Sequence, residues 1–165
     1  MRKIALVIGI ALTLAAGHAS AQALRNEVSV FGTWNSLSGD GGTRDHDWDV
    51  SYLQLNYGRY FSENLAVIVG YSKLSKMGDK NYDILEVGGK FSLGNVRQGA
   101  FVPYAEAALG LLDFNGNDLG IRLGVGASYM VTDSTSIDPH FSYLTTVSGD
   151  KLKGHILGLR IATRF

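Results

Sequence analysis

Between clusters of glycine, asparagine, aspartate and serine, apolar and polar positions alternate along the chain with a period of two. In the last segment Leu157, Leu159 and Ile161 share one face, whereas Gly158 and Arg160 share the other. About eight such segments occur, near residues 26–35, 48–61, 64–74, 82–93, 100–112, 118–131, 134–146 and 151–165. The alternation predicts an all-β protein of eight strands.

A soluble sandwich would produce the same alternation, so the alternation alone does not identify the architecture. Three further features favour a closed eight-stranded antiparallel up-and-down transmembrane barrel. Each segment reaches the roughly 9 to 11 residues that a tilted membrane strand needs. The two longest links, 38–47 and 75–81, follow odd-numbered strands, as extracellular loops do in bacterial barrels, although the long link 94–99 follows an even one. Finally, the chain ends inside a strand at Phe165.

The first residues have the three parts of a secretion signal. Arg2 and Lys3 precede the apolar run from Ile4 to Ala16, and small-residue cleavage sites follow within residues 19–23. An uncleaved anchor helix is the alternative, but this run is shorter than the roughly 20 residues that span a bilayer. We therefore predict a signal peptide over residues 1–23 and a barrel domain over residues 24–165, in the outer membrane of a Gram-negative bacterium.

Charge and cysteine content exclude several classes of function. The chain has 15 basic and 15 acidic residues, so it has no basic excess with which to bind nucleic acid. It contains no cysteine, and therefore no disulfide, thiolate metal ligand or cysteine nucleophile.

Strand parity assigns one set of charged side chains to the barrel interior. These residues are Glu86, Lys90, Glu106, Arg122, Asp138, His140, Arg160 and Arg164. Charges of both signs in a narrow tube are costly unless they pair, so we predict a mutually neutralising network. An ion path, and hence a small low-conductance pore, is the alternative. Side chains fill the interior of an eight-stranded barrel, which favours the network.

Two more features concern the barrel wall. Aromatic residues are expected to form one girdle near the periplasmic interface and another near the outer one. The first would contain Tyr57, Phe61, Phe91, Phe101, Tyr129 and Phe165, and the second Trp34, Tyr71 and Tyr143. Pro139 removes a ladder donor in a sheet without edges, which predicts a bulge or a local break.

Several segments resemble the small eight-stranded outer-membrane β-barrel family, the group of OmpX, Ail and the membrane domain of OmpA. Residues 101–110 (FVPYAEAALG) resemble its fifth strand, and residues 137–143 with the Arg164–Phe165 ending resemble its last two strands. The terminal Phe165 also resembles the signal read by the outer-membrane assembly machinery. The resemblance implies contact with membrane lipid and lipopolysaccharide, a monomer without enzymatic activity, and in some members adhesion or host contact through the loops.

The sequence His140-Phe141-Ser142 resembles the His-x-Ser pair of lipid A deacylases, which makes a lipid A acyl hydrolase a second alternative. Tyr143 stands where that family has asparagine, and Gly154 lies near the expected acid. Parity also directs His140 and Ser142 into the lumen, away from lipid. We expect Asp138, His140 and Ser142 to hydrogen-bond within the lumen network instead.

The first outer loop contains the acidic cluster Asp40, Asp45, His46 and Asp47. Oxygen-rich clusters can hold a divalent cation, but this spacing matches no calcium-loop pattern. We expect an exposed surface there that is able to contact a ligand, with no metal and no cofactor in the protein.

Overall fold

The computed structural model describes residues 26–38, 47–76, 81–94, 100–112, 118–148 and 153–165, with side chains except those of residues 34–38, 47–50 and 76. Eight strands account for nearly all of these residues. They are β1 (Asn26–Ser38), β2 (Asp47–Tyr60), β3 (Leu65–Lys76), β4 (Asn81–Ser92), β5 (Phe101–Leu112), β6 (Asp118–Met130), β7 (Thr135–Thr146) and β8 (Lys153–Arg164). Within the described ranges, no helix has the length and apolar character needed to cross a membrane.

The strands form one closed barrel in the order β1 to β8, and every neighbouring pair is antiparallel. Closure joins the first strand to the last, with Glu27 opposite Arg164 and Gly32 opposite Leu159. Beyond this ladder, Asn26 N–H donates to the carbonyl of Phe165 at 3.0 Å, and Phe165 N–H donates back at 2.9 Å. The predicted eight-stranded antiparallel barrel is therefore confirmed.

In two of the tight connections a side-chain hydroxyl accepts a hydrogen bond from a backbone N–H three residues later. The Ser62 hydroxyl accepts the Leu65 N–H at 3.1 Å, and the Thr132 hydroxyl accepts the Thr135 N–H at 2.9 Å. Such side-chain bonds stabilise a reversal of the backbone. These connections, the start of β1 and the end of β8 lie at one end of the barrel, which we call the turn end. The other, where β1, β3, β5 and β7 finish, is the loop end.

The barrel wall alternates between exposed apolar and buried side chains. On β8, Leu157, Leu159 and Ile161 are about 60% exposed, whereas Arg160 between them is 1% exposed. Exposed aromatic residues collect at the turn end, as the sequence predicts: Phe61, Phe91, Phe101, Tyr129 and Phe165. At Tyr57 the ring is only half-exposed, and its hydroxyl donates to Asn26 Oδ1 at 2.9 Å.

The expected disturbance at Pro139 is a local break without a bulge. The β6–β7 ladder pairs Gly126 with His140 and resumes at Tyr129 with Ile137, so the register is the same on both sides. Proline has no N–H to donate to the ladder at this point. On its other side Pro139 still pairs with Leu159 of β8. The strand thus accommodates proline by omitting contacts on one edge.

Candidate functional site

The barrel interior contains a layer of charged side chains halfway along the strands, which we call the charged layer. The eight residues predicted from parity all lie there or at its turn-end edge, and none is more than 6% exposed. The sequence reasoning missed one further member, Glu27 of β1, which is 3% exposed. With Glu27 included, the four carboxylates Glu27, Glu86, Glu106 and Asp138 face the four cations Lys90, Arg122, Arg160 and Arg164.

Glu27 of β1 contacts side chains of three other strands on the turn-end side of this layer. Its Oε1 accepts from Lys90 Nζ at 2.8 Å, and its Oε2 accepts from Arg164 Nε at 3.0 Å. The Tyr60 hydroxyl donates to the same Oε2 at 2.9 Å and accepts from Arg164 Nη2 at 2.8 Å. The signal that could have found this residue is strand parity, because Glu27 alternates with the exposed Val28 and Val30 of β1, and in the structure it lies directly opposite Arg164.

The two other paired carboxylates form a chain with two arginines. Arg122 Nε lies 3.0 and 3.1 Å from the oxygens of Glu86, and its Nη1 lies 3.2 Å from Glu106 Oε2. Arg160 contacts both oxygens of Glu106, with Nη2 2.9 Å from Oε2. Planar guanidinium groups suit such shared contacts, because their donors are arranged as a fork. Glu106 therefore neutralises two arginines at once.

An aromatic ring contacts two of the cations that the carboxylates also bind. Lys90 Nζ lies 4.6 Å from the centre of the Tyr104 ring, and the Arg160 guanidinium lies 5.5 Å from it. The Tyr104 ring also stacks on His140, with centres 5.8 Å apart and planes 13° apart. Gly124 makes room for that imidazole, because a Cβ there would lie 2.6 Å from His140 Cε1.

The three residues Asp138, His140 and Ser142 are all buried but do not form one hydrogen-bonded group. His140 Nδ1 shares a hydrogen bond of 3.1 Å with the Tyr104 hydroxyl. Among the described residues, neither carboxylate oxygen of Asp138 has a hydrogen-bond partner. The expectation of a shared network therefore fails at Asp138, because Arg160, its partner across the ladder, turns to Glu106 instead.

An apolar layer, which we call the plug, fills the lumen between the charged layer and the loop end. Seven strands each supply one buried side chain to it: Phe31, Tyr52, Leu74, Ile84, Leu112, Leu144 and Ile156. On β6 the place is taken by Gly120, where a Cβ would lie 2.7 Å from Leu112 Cδ1. The interior side chains predicted from the sequence are charged or polar, so this apolar layer is a second lining that was not predicted.

The alternation reverses beside the plug. On β3 and β4 the inward Leu74 and Ile84 are buried, while Lys73 and Asp83 occupy the outward positions and face each other across the ladder. The Tyr71 hydroxyl donates to Asp83 Oδ1 at 2.6 Å on this outer surface. A wall that is polar outside and apolar inside is typical of a strand with one face in water. At this level β3 and β4 thus have the arrangement of a soluble barrel, whereas the outward Leu111 of β5 and Leu119 of β6 stay exposed and apolar.

The acidic cluster of the first outer loop falls largely outside the description. Asp40, Asp45 and His46 lie outside the described residues, and Asp47 is described only as the first backbone position of β2. The same holds for the predicted signal peptide, residues 1–23. In the part of the chain that is described, no three His, Cys, Asp or Glu side chains are grouped in a way that could hold a metal ion.

Comparisons with known proteins agree on the architecture. Residues 8–165 match the family described as "Outer membrane protein beta-barrel domain". A comparison with curated protein sequences finds no match.

Several solved structures have the same fold at low sequence identity. Neisserial surface protein A superposes with a TM-score of 0.68 at 16% identity, covering 85% of this chain and 97% of that one. The N-terminal barrel of Pseudomonas aeruginosa OprF gives 0.63 at 12% identity, covering 86% and 98%. Yersinia pestis Ail, the attachment invasion locus protein, gives 0.57 at 15% identity, with the same coverage of 86% and 98%. At these identities the likeness establishes the fold.

Proposed function

Because the chain belongs to the outer membrane protein beta-barrel domain family, we propose that it works as a closed scaffold that presents its loops at the cell surface. In this role the extracellular loops contact a ligand, and the barrel supplies a rigid support in the membrane. The protein carries out no catalysis and conducts no steady ion current.

The observation that carries this proposal is that two layers of side chains, the plug and the charged layer, fill the lumen. The plug contributes Phe31, Leu74, Ile84 and Leu144, each at most 2% exposed, and hydrophobic constrictions of this kind exclude ions by dewetting. Below it, Glu106 holds Arg122 and Arg160 across the lumen. An ion would have to pass both layers, so the exposed loops are the surface most available for interaction.

Conductance in planar bilayers tests whether the lumen is closed. The purified protein is expected to give no steady current. A variant that opens only the plug, Leu144→Ala with Leu74→Ala, is also expected to stay silent, because the charged layer still blocks the path. Steady channels in the unmodified protein would overturn the proposal in favour of the small pore.

Loop exchange tests the surface role. We replace residues 39–46 with a two-residue Gly-Ser link and measure the adhesion of expressing cells to cultured epithelial cells. The matched control shortens residues 95–98, a connection at the opposite end of the barrel. Adhesion is expected to fall only in the first variant, with both barrels showing heat-modifiable gel migration. Equal adhesion in all three strains would contradict a surface role for this loop.

The lipid A hydrolase alternative has a direct test of its own. His140 and Ser142 are each 1% exposed within the lumen, and His140 bonds to Tyr104, so an acyl ester in the bilayer does not reach them. Lipid A from expressing cells is expected to have the same mass spectrum as lipid A from cells without the protein. A deacylated species that disappears in Ser142→Ala would establish the enzyme.

Export and assembly complete the proposal. Removal of residues 1–23 by signal peptidase would leave a mature chain whose last residue, Phe165, is read by the assembly machinery. Phe165 is 42% exposed at the turn end, so its ring is accessible on the folded wall. N-terminal sequencing of the mature protein is expected to begin within about two residues of Leu24.

A further inference from the structure

The outer wall of the barrel contains a groove of about 590 Å³ that the surface role does not use. Its floor consists of Gly89, Ala105 and Ala107, and its sides include Phe91 and Leu123. The pairing of the strands explains why the groove is deep. Ala107 of β5 lies opposite Gly89 of β4 on one side and Leu123 of β6 on the other, so a glycine and an alanine stand side by side on adjacent strands. The volume falls within the range of small-ligand sites.

The groove belongs to the lipid-facing surface. Leu123 and Val125 beside it are 56% and 55% exposed, as are similar residues all around the membrane belt. Lys90 and Glu106 lie beneath the floor, but their charged ends point inward, to Glu27 and Arg160. Apart from Tyr143, a ligand in the groove therefore meets apolar surface, which suits the hydrocarbon of the surrounding membrane.

The length and direction of the groove match one acyl chain. It crosses five strands, from Leu65 on β3 to Tyr143 on β7. Four inter-strand spacings of about 4.8 Å amount to roughly 19 Å. The groove begins beside Phe91 at the turn end and finishes at Tyr143 toward the loop end, so an acyl chain that enters from the loop end lies along it toward the turn end.

The loop-end terminus of the groove has the polar groups that a lipid headgroup needs. Tyr143 and Phe141 both line the groove, and both contact His155, with ring centres 5.1 and 5.5 Å apart respectively. His155 and Lys153 alternate with buried residues on β8 and are exposed on the outer surface. Lysine is a common phosphate-binding residue. The opposite terminus, at Leu65 and Phe91, is apolar.

From this arrangement we propose that the groove is a specific binding site for one acyl chain of lipopolysaccharide. The chain lies over Gly89, Ala105 and Ala107, and the phosphorylated headgroup lies against Tyr143, His155 and Lys153. The outer leaflet is the source because the polar terminus of the groove points to the loop end.

Two lipid-facing glycines provide a matched pair of variants. A Cβ at Gly89 would approach no atom closer than 3.7 Å, and a Cβ at Gly32 would meet nothing within 4 Å. Gly89→Leu therefore fills the groove, while Gly32→Leu places the same side chain on the wall away from it. Ala107→Leu fills the groove from a second strand, should Gly89→Leu fail to fold.

Native mass spectrometry of the full mature protein measures retained lipid, with purified lipid A and phosphatidylethanolamine as competing probes. The unmodified protein and Gly32→Leu are expected to retain one lipid A per barrel, and Gly89→Leu about tenfold less. Lipid A carrying a photoreactive acyl chain is expected to crosslink around Ala105 and Ala107, and not around Gly32.

Three results would overturn the proposal. The first is equal retention of lipid A by all three proteins, or retention by none. The second is an equal or greater retention of phosphatidylethanolamine, which would make the groove a phospholipid site. The third is a dimer of the unmodified protein that Gly89→Leu converts to a monomer, which would make the groove an interface between copies of this chain.

Discussion

The plug and the charged layer fill the same tube by opposite physical means. In the plug, Phe31, Leu74, Ile84 and Leu144 need only shape and volume to pack. In the charged layer, Glu106 is stable only because Arg122 and Arg160 reach it in the right geometry. The comparison teaches that truncating a side chain should destabilise the two layers for different reasons. In the plug it leaves a void, and in the charged layer it leaves an unpaired charge.

The largest effect is expected from Glu106→Gln, because this change leaves two buried guanidinium groups without their shared carboxylate. Unfolding free energy is expected to fall by about 3 to 5 kcal/mol, the usual cost of breaking a buried pair. Urea titration in lipid vesicles, followed by tryptophan fluorescence, measures it.

The control for that variant is Glu63→Gln, which changes an exposed carboxylate in a turn. Its unfolding free energy should stay within about 0.5 kcal/mol of the unmodified protein. If Glu106→Gln costs no more than this control, the pairing of Glu106 contributes nothing to stability.

The next effect is expected from Leu144→Ala in the plug, where the side chain is 1% exposed. The cavity left behind should cost about 2 to 4 kcal/mol in the same titration. Leu109→Ala is the control, since that leucine is 59% exposed to lipid, which can fill the space. A greater loss in Leu109→Ala than in Leu144→Ala would mean that the plug is loosely packed.

Combining Glu106→Gln with Leu144→Ala tests whether the two layers are independent. The ion pairs of Glu106 are made with arginines of the charged layer, whereas Leu144 packs among the apolar side chains of the plug. The two losses should add to within about 0.5 kcal/mol. A larger coupling energy in this double-mutant cycle would show that the plug positions the ion pairs.

The smallest effect is expected from salt. Buried ion pairs are screened far less than exposed ones, so raising sodium chloride from about 0.1 M to about 1 M should change the cost of Glu106→Gln by less than about 0.5 kcal/mol. Repeating the titration of both proteins at high salt measures this. If the cost of Glu106→Gln falls by half at high salt, the ion pairs of Glu106 are in contact with bulk solvent.

Much of the fold follows from the sequence because the membrane imposes a strict rule on mid-strand positions. Leu159 and Arg160 obey it: one faces lipid and the other the lumen, as their parity predicts. The rule fails at the loop end, where Leu74 is inward and Lys73 outward. Nothing in the alternation itself reveals the point along a strand at which lipid gives way to water, and the plug was therefore missed.

The sequence predicts which residues belong to the charged layer better than it predicts which of them pair. Parity places Arg122 and Glu86 in the lumen, and the structure joins them at 3.0 Å. It does not reveal that Arg160 passes over Asp138, its partner across the ladder, to reach Glu106 on a strand farther round the barrel. Long side chains choose among several partners inside a narrow tube, and that choice depends on the packing of all of them.

The reversal of polarity near the loop end also determines how deeply the protein is immersed. On β8 the outward positions change from His155 to Leu157, and on β4 from Asp83 to Leu85, so on these two strands the upper hydrocarbon boundary crosses the wall between them. Mismatch between a fixed apolar height and bilayer thickness costs free energy. This barrel therefore has a preferred membrane thickness, and an outer leaflet with longer acyl chains would bury outward polar residues such as His155 and Asp83 in hydrocarbon.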